Sequence, residues 1–134
     1  STQVVALQDT ITGLWNYMSA SLLISAALSP YRVVTTAGAV TVQASDVVIL
    51  LQKSPSGAST INLPNSATRG GAPVTVKDLT GDANTNNITF VPALGETIDG
   101  FSAAAAAANG VALIDINYGS KTLYPLSSGG WYVK

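Results

Sequence analysis

Beyond Pro30 the chain is a succession of short β-type runs punctuated by turn residues, and this pattern limits its fold more than any other feature. The runs are RVVTT, AVTVQ, DVVILLQ, STINL, PVTVKDL, NITFV, VALIDINY, KTLYPL and WYVK. They are rich in Val, Ile, Thr and aromatic residues, and most alternate apolar with polar, as half-buried strands do. Between them stand TAG, SPSG, RGGAP, GDANTN, LGE, YGS and SSGG, each a turn signature. Roughly nine strands in roughly 100 residues predict a mainly β fold over residues 30–134, an antiparallel β-sandwich of jelly-roll type. Neither a βαβ spacing nor an internal repeat is legible.

Residues 1–29 follow another period. Val4, Leu7, Ile11, Leu14 and Met18 are spaced 3, 4, 3, 4, an a/d heptad seam that weakens after Met18 and is ended by Pro30. The narrow seam leaves Gln3, Gln8, Asp9, Thr12 and Asn16 pointing away from it, which favours a coiled coil over one amphipathic helix packed on its own domain. The seam is too short to be stable alone in water, so either it continues upstream of Ser1 or the following domain holds the helices together. The a/d residue types lean towards two strands and do not select a trimer. Thr10 to Tyr31 carries no charge. It is diluted by Asn, Thr, Gly and Ser and has no basic flank, so it is not read as a membrane span or a leader.

Six consecutive alanines, Ala103 to Ala108, interrupt the β pattern. Alanine forms helices well, but six residues are fewer than two turns, and Asn109-Gly110 stops helices. The expectation is a packed loop or edge segment that can include one turn of helix, where small side chains let backbones approach closely, as at a subunit interface; an accident of drift in a surface loop is the competing reading.

The chain has no Cys and no His. Disulfides, thiol nucleophiles, thiolate zinc sites and every catalytic arrangement that needs a histidine are therefore excluded within it. Charged residues are only 10% and the net charge is −1, without a basic run, so the electrostatic footprint of a nucleic-acid binder is missing. Few charges among many small apolar residues suggest a surface covered by copies of the same chain. The chain starts on Ser1 rather than Met, as an excised or processed chain would.

Three segments invite a chemical role. Glu96 and Asp99 in GETIDG are the one close Glu/Asp pair, and glycosidases use two carboxylates. Their spacing sets them on opposite faces of a strand, however, and a turn with Asp99 bonding nearby backbone ahead of Gly100 is the stronger expectation. DANTNN, residues 82 to 87, begins like a calcium loop but has Asn87 where Gly is needed and Ala93 where the bidentate Glu belongs, so a polar hairpin loop is expected. RGGAP lacks the ending of a phosphate loop. No cofactor and no metal is implied.

ITFVPALGETIDG followed by NYGSKTLYPLSSGGWYVK, with TINLPNSATRGGAPVTVKDLTGDANTNNITF upstream, resembles the distal modules of bacteriophage fibres, spikes and needles. The likeness covers roughly residues 47 to 134. Preceded by a short heptad helix, the whole is similar to a trimeric tail-needle knob of a short-tailed phage of enteric bacteria; the alanine run departs from that pattern. The resemblance implies a homotrimer in the virion tail and no catalytic residues. It also implies a tip that caps the stalk and touches or perforates the host envelope, joined to other tail proteins through the upstream stalk. Two alternatives stay open: a tip that cleaves or binds carbohydrate, and a membrane-active element over Leu14 to Leu28.

In such a trimer Arg69 is the candidate ligand residue. Gly70 and Gly71 beside it can turn backbone N–H groups to one side, as anion nests require, and Arg32, Lys53 or Lys77 could complete a shallow pocket between subunits. A small carboxylate, a phosphate or an acidic sugar would sit there. The stronger competing expectation pairs Arg69 with Asp78 or Asp82 and makes it a loop pin.

Overall fold

The computed structural model describes residues 31–134. The seam Val4, Leu7, Ile11, Leu14 and Met18, and with it the proposed 1–29 stalk, lies outside the described residues.

Each of the nine β-type runs carries a strand: β1 Arg32–Val34, β2 Gly38–Thr41, β3 Val48–Leu51, β4 Ser59–Asn62, β5 Val74–Asp78, β6 Ile88–Val91, β7 Leu113–Ile114, β8 Ser120–Pro125 and β9 Trp131–Val133. A short 3-10 turn spans Ser66–Arg69, and a six-residue helix, α1, spans Ala103–Ala108. The fold is mainly β, with two mixed sheets, one ordered β1-β3-β5-β8-β9 and the other β2-β4-β6-β7.

The antiparallel expectation is corrected. β1 with β3, β3 with β5, β2 with β4 and β4 with β6 pair parallel; only the pairs involving β7, β8 and β9 are antiparallel. The chain alternates between the sheets as it advances, so β1β2, β3β4 and β5β6 stack as successive layers. TAG, SPSG, RGGAP and GDANTN each lie where the chain leaves one sheet for the other, so the hairpin expected at DANTNN is corrected to a crossover between sheets. Turn residues report that the chain changes direction and not which strand it then pairs with. Of the quoted signatures, SSGG closes a hairpin between adjacent strands, β8 and β9.

Inward positions repeat from layer to layer. Val40, Ile61 and Phe90 are in register in the four-stranded sheet, and Ile49 with Val76 in the five-stranded one. These rows merge into one core with Leu51, Ile88, Ile98, Leu123 and Trp131, all essentially without exposed surface. Burying each such side chain contributes about 1.5–3 kcal/mol. The repeat is invisible to sequence periodicity because the connections between layers differ in length.

The alanine run is helical after all. The Ser102 hydroxyl accepts a weak cap bond from the Ala105 N–H at 3.4 Å, and Gly110, at φ +72°, follows the end. Ala106 is fully buried, and the Ala112 N–H donates back to the Ala106 carbonyl at 3.0 Å. The expected close approach is there: the helix packs beside β6.

Candidate functional site

Arg69 lies at the end of the 3-10 turn, which Asn65 caps by accepting from the Ala67 N–H and which Gly70 terminates in the left-handed region at φ +57°. Gly71 follows at φ +83°. The glycines thus take the positive φ that the sequence suggested, but the guanidinium points inward and is buried. Its Nε donates to the Ala72 carbonyl, Nη1 to Gln43 and Ala44, and Nη2 to Asp46 and Pro73. A guanidinium has five N–H donors, and all five are taken. Burial lowers its pKa, opposed by the charge of Asp46. Nothing remains with which Arg69 could hold a ligand anion, and its partners are carbonyls rather than Asp78 or Asp82.

The other predicted cations are likewise tied down, each at a different place. Arg32 makes a two-pronged pair with Asp46, at 2.8 Å and 2.6 Å, which raises the pKa of Arg32 against a lesser effect of burial. Lys53 is buried and meets the Gly57 carbonyl at 2.5 Å and the Asp82 carboxylate at 3.0 Å. Lys77 donates to the Tyr118 carbonyl. Arg32 and Arg69 thus meet at Asp46, through its carboxylate and its main-chain carbonyl, whereas Lys53 and Lys77 bind other segments.

GDANTN is also organised from within. The fully buried Asp78 carboxylate accepts from the N–H groups of Gly81, Asp82, Ala83 and Tyr118, each at 3.1 Å. Burial pushes its pKa up, but those bonds and the charge of Lys53 outweigh it, and the carboxyl titrates below its ordinary range. Asp82 meets Lys53 and accepts from the Asn86 amide, so the segment resembling a calcium loop is held by protein groups. Among the described residues, no group of three or more acidic side chains could hold a metal ion.

The GETIDG carboxylates do not act as a pair. Asp99 and Gly100, at φ +50° and +79°, are the central residues of a tight turn in which Ile98 and Phe101 exchange both backbone bonds at 2.9 Å. The Asp99 carboxylate accepts from the Val133 N–H at 3.1 Å. Glu96 instead reaches across to Ser66, accepting from its N–H at 3.0 Å and its hydroxyl at 2.7 Å.

The three stretches that carry the phage-fibre resemblance meet at this point. From LPNSATRGG comes Ser66, from GETIDG come Glu96 to Asp99, and from SSGGWYVK come Gly130 and Trp131. The Ser66 hydroxyl also accepts from the Gly130 N–H at 2.9 Å. The Trp131 N–H donates to the Thr97 carbonyl at 2.8 Å, and the Asp99 N–H to the Trp131 carbonyl at 2.8 Å. A Cβ on Gly130 would lie 3.0 Å from the Thr97 carbonyl oxygen, so glycine is needed both for φ +98° and for space. Burial alone would raise the pKa of Glu96, yet its bonds from Ser66 and the proximity of Gly130 and Trp131 bring it below the ordinary range. The indole N–H of Trp131 lies close enough to contribute to that shift without reaching hydrogen-bond geometry.

An open groove of about 430 Å³ borders this junction, lined by residues 91–97 with Ser102 and Ala103. Glu96 is its one charged wall. At neutral pH that carboxylate is an ion already accepting bonds from Ser66, whereas a glycosidase acid needs a raised pKa. Sequence reasoning missed Ser66 altogether. Its signal was the Asn-Ser step ahead of a short turn, which marks a cap and says nothing of a partner thirty residues on.

No protein-family model matches the chain, and no curated protein sequence matches it.

Proposed function

We propose that this chain is a structural, non-enzymatic module of a bacteriophage tail, the knob at the tip of a needle or fibre. It works as a homotrimer on a coiled-coil stalk formed by residues 1–29, joined upstream to other tail proteins. The tip caps the stalk and contacts or perforates the host envelope. One observation carries the reading: the motifs that resemble phage fibre modules are the residues that lock Ser66, Glu96 and Trp131 into one junction. A cap that must transmit force needs its loops fixed, and here buried charged side chains fix them.

Light scattering of the full chain at micromolar concentration tests this. The expected mass is three times the 13.6 kDa chain. Ile11→Asp with Leu14→Asp should reduce it to one. A wild type that stays at one chain overturns the proposal.

The carbohydrate-cleaving alternative asks Glu96 to donate a proton near neutral pH, and its depressed pKa weighs against that. Release of reducing sugar from host polysaccharide by the wild type, abolished by Glu96→Gln, would restore it. The membrane-active alternative rests on Leu14 to Leu28, outside the described residues, and dye leakage that Leu22→Glu with Leu23→Glu abolishes would support it.

A further inference from the structure

We propose that Lys53 and Asp82 join through their side chains in an isopeptide bond, which ties the loop leaving β3 to the loop leaving β5. The Lys53 side chain is 0% exposed and that of Asp82 16%, and Nζ stands 3.0 Å from Oδ1. Among the described residues this is the one lysine amine that meets a carboxylate; Lys77 and Lys121 meet main-chain carbonyls. The contact is not a hydrogen bond. Oδ1 is buried and accepts none, whereas Oδ2 accepts from the Asn86 amide at 2.8 Å. An ion pair taken out of water needs good hydrogen bonds to offset its desolvation, and this one lacks the bond between its own partners. An amide made from the same groups carries no charge and leaves no orphaned Oδ1.

The surroundings fit the product atom by atom. The condensation takes one ammonium and one carboxylate to one amide and one water. A proton passes from Nζ to Oδ1, the freed nitrogen lone pair attacks Cγ, and a second proton follows to Oδ1. The Cγ–Oδ1 bond breaks with its electron pair, Oδ1 leaves as water, and the double bond from Cγ to Oδ2 re-forms. The nitrogen keeps one proton, and the Gly57 carbonyl, already 2.5 Å from Nζ, is there to accept it. Oδ2 keeps its bond from Asn86, which also steadies the negative charge on that oxygen during attack. Neither oxidant nor reductant enters. Holding amine and carboxyl in contact replaces a chance encounter by a fixed one. Asp78 loses a neighbouring positive charge but keeps its four N–H bonds. The new bond closes residues 53–82 into a ring across two neighbouring parallel strands, β3 and β5.

Condensation makes the chain lighter by one water. Intact mass is measured on the full chain, purified in the folded state and then denatured, for the wild type and for Lys53→Arg. The expected result is a wild type one water below the mass of its sequence and a variant at its full mass. Trypsin should then release from the wild type one branched peptide that joins residues 33–69 to 78–121, because a modified Lys53 is no longer cut. A wild type at full mass overturns the bond. A missing water that Lys53→Arg retains, or one that comes with separate peptides 33–53 and 54–69, overturns it too, since cyclisation at Asp99-Gly100 gives the same change in mass.

Discussion

The parallel layers, residues 31 to 91, and the closing segment, residues 92 to 134, solve the same problem by different means. Both must bring the chain back to a sheet without leaving buried backbone groups unpaired. In the parallel layers the connections cross between sheets and no long helix covers them. Charged side chains reach in instead: Arg69 takes five carbonyls, Asp78 takes four N–H groups, and Lys53 and Asp46 anchor further loops. The closing segment is antiparallel and relies on backbone conformation. Asp99, Gly100, Tyr118, Gly129 and Gly130 all sit at positive φ and turn the chain tightly. Charged side chains anchor loops there too, Glu96 at Ser66 and Lys121 at the Gly110 and Val111 carbonyls, but the tight turns are the closing segment's own device.

The largest expected effect strikes the first region alone. Arg69→Met leaves five carbonyls without their donor. At about 1–3 kcal/mol for each one that stays buried, and with water reaching some, the loss is on the order of 4 kcal/mol in urea unfolding. Arg69→Lys should recover only part, since an ammonium has three donors and no fork. A loss below about 1 kcal/mol for Arg69→Met would break the contrast.

Asp78→Asn comes next, at about 2–3 kcal/mol, because an amide cannot accept all four N–H groups. Hydrogen exchange should accelerate at Gly81, Ala83 and Tyr118 and hold steady at Trp131. Asp78 and Glu96 both titrate below their ordinary range when folded. Their stabilisation is thus complete above the unfolded values, about 3.9 and 4.3, and is lost as pH falls through the folded ones. Asp78→Asn or Glu96→Gln should flatten the acid side of the stability curve. An unchanged acid side in the double variant would remove both carboxylates from the account.

Gly130→Ala probes the second region through its backbone. A residue with a Cβ is strained at φ +98° and meets the Thr97 carbonyl at 3.0 Å. The expected loss is about 2 kcal/mol, with faster exchange confined to Trp131 and Asp99. Exchange that spreads evenly into β3 and β5 would show that the two regions open as one. Ser102→Ala should be smallest, near 0.5 kcal/mol, since its cap bond is long and its helix short. A melting temperature unchanged within error would reassign α1 to packing through Ala106.

The candidate site was less legible than the strands. Gly70 and Gly71 take the positive φ that their lack of a Cβ allows. The direction of the Arg69 side chain did not follow, because it depends on carbonyls of residues 43 to 46, brought in by a different layer. Asp99 behaved as a turn residue because Asp-Gly chemistry is local. Ser66 and Glu96 could not be joined from sequence, since their bond links distant segments.

What the sequence by itself determined was the local alphabet: nine strands, their inward and outward positions, the turn at Asp99-Gly100, and the absence of thiol and imidazole chemistry. Those follow from side-chain alternation, backbone sterics and composition, which act over a few residues. Only the tertiary structure decided that the strands stack in parallel layers, that the alanines form a helix, and that Asp46, Lys53, Arg69 and Asp78 point inward. Strand pairing depends on which edge is free when the chain returns, and six alanines gain their helix by burying Ala106. A buried guanidinium is stable only where five carbonyls already converge. These conditions are set by segments far apart in the chain, and no short window of sequence contains them.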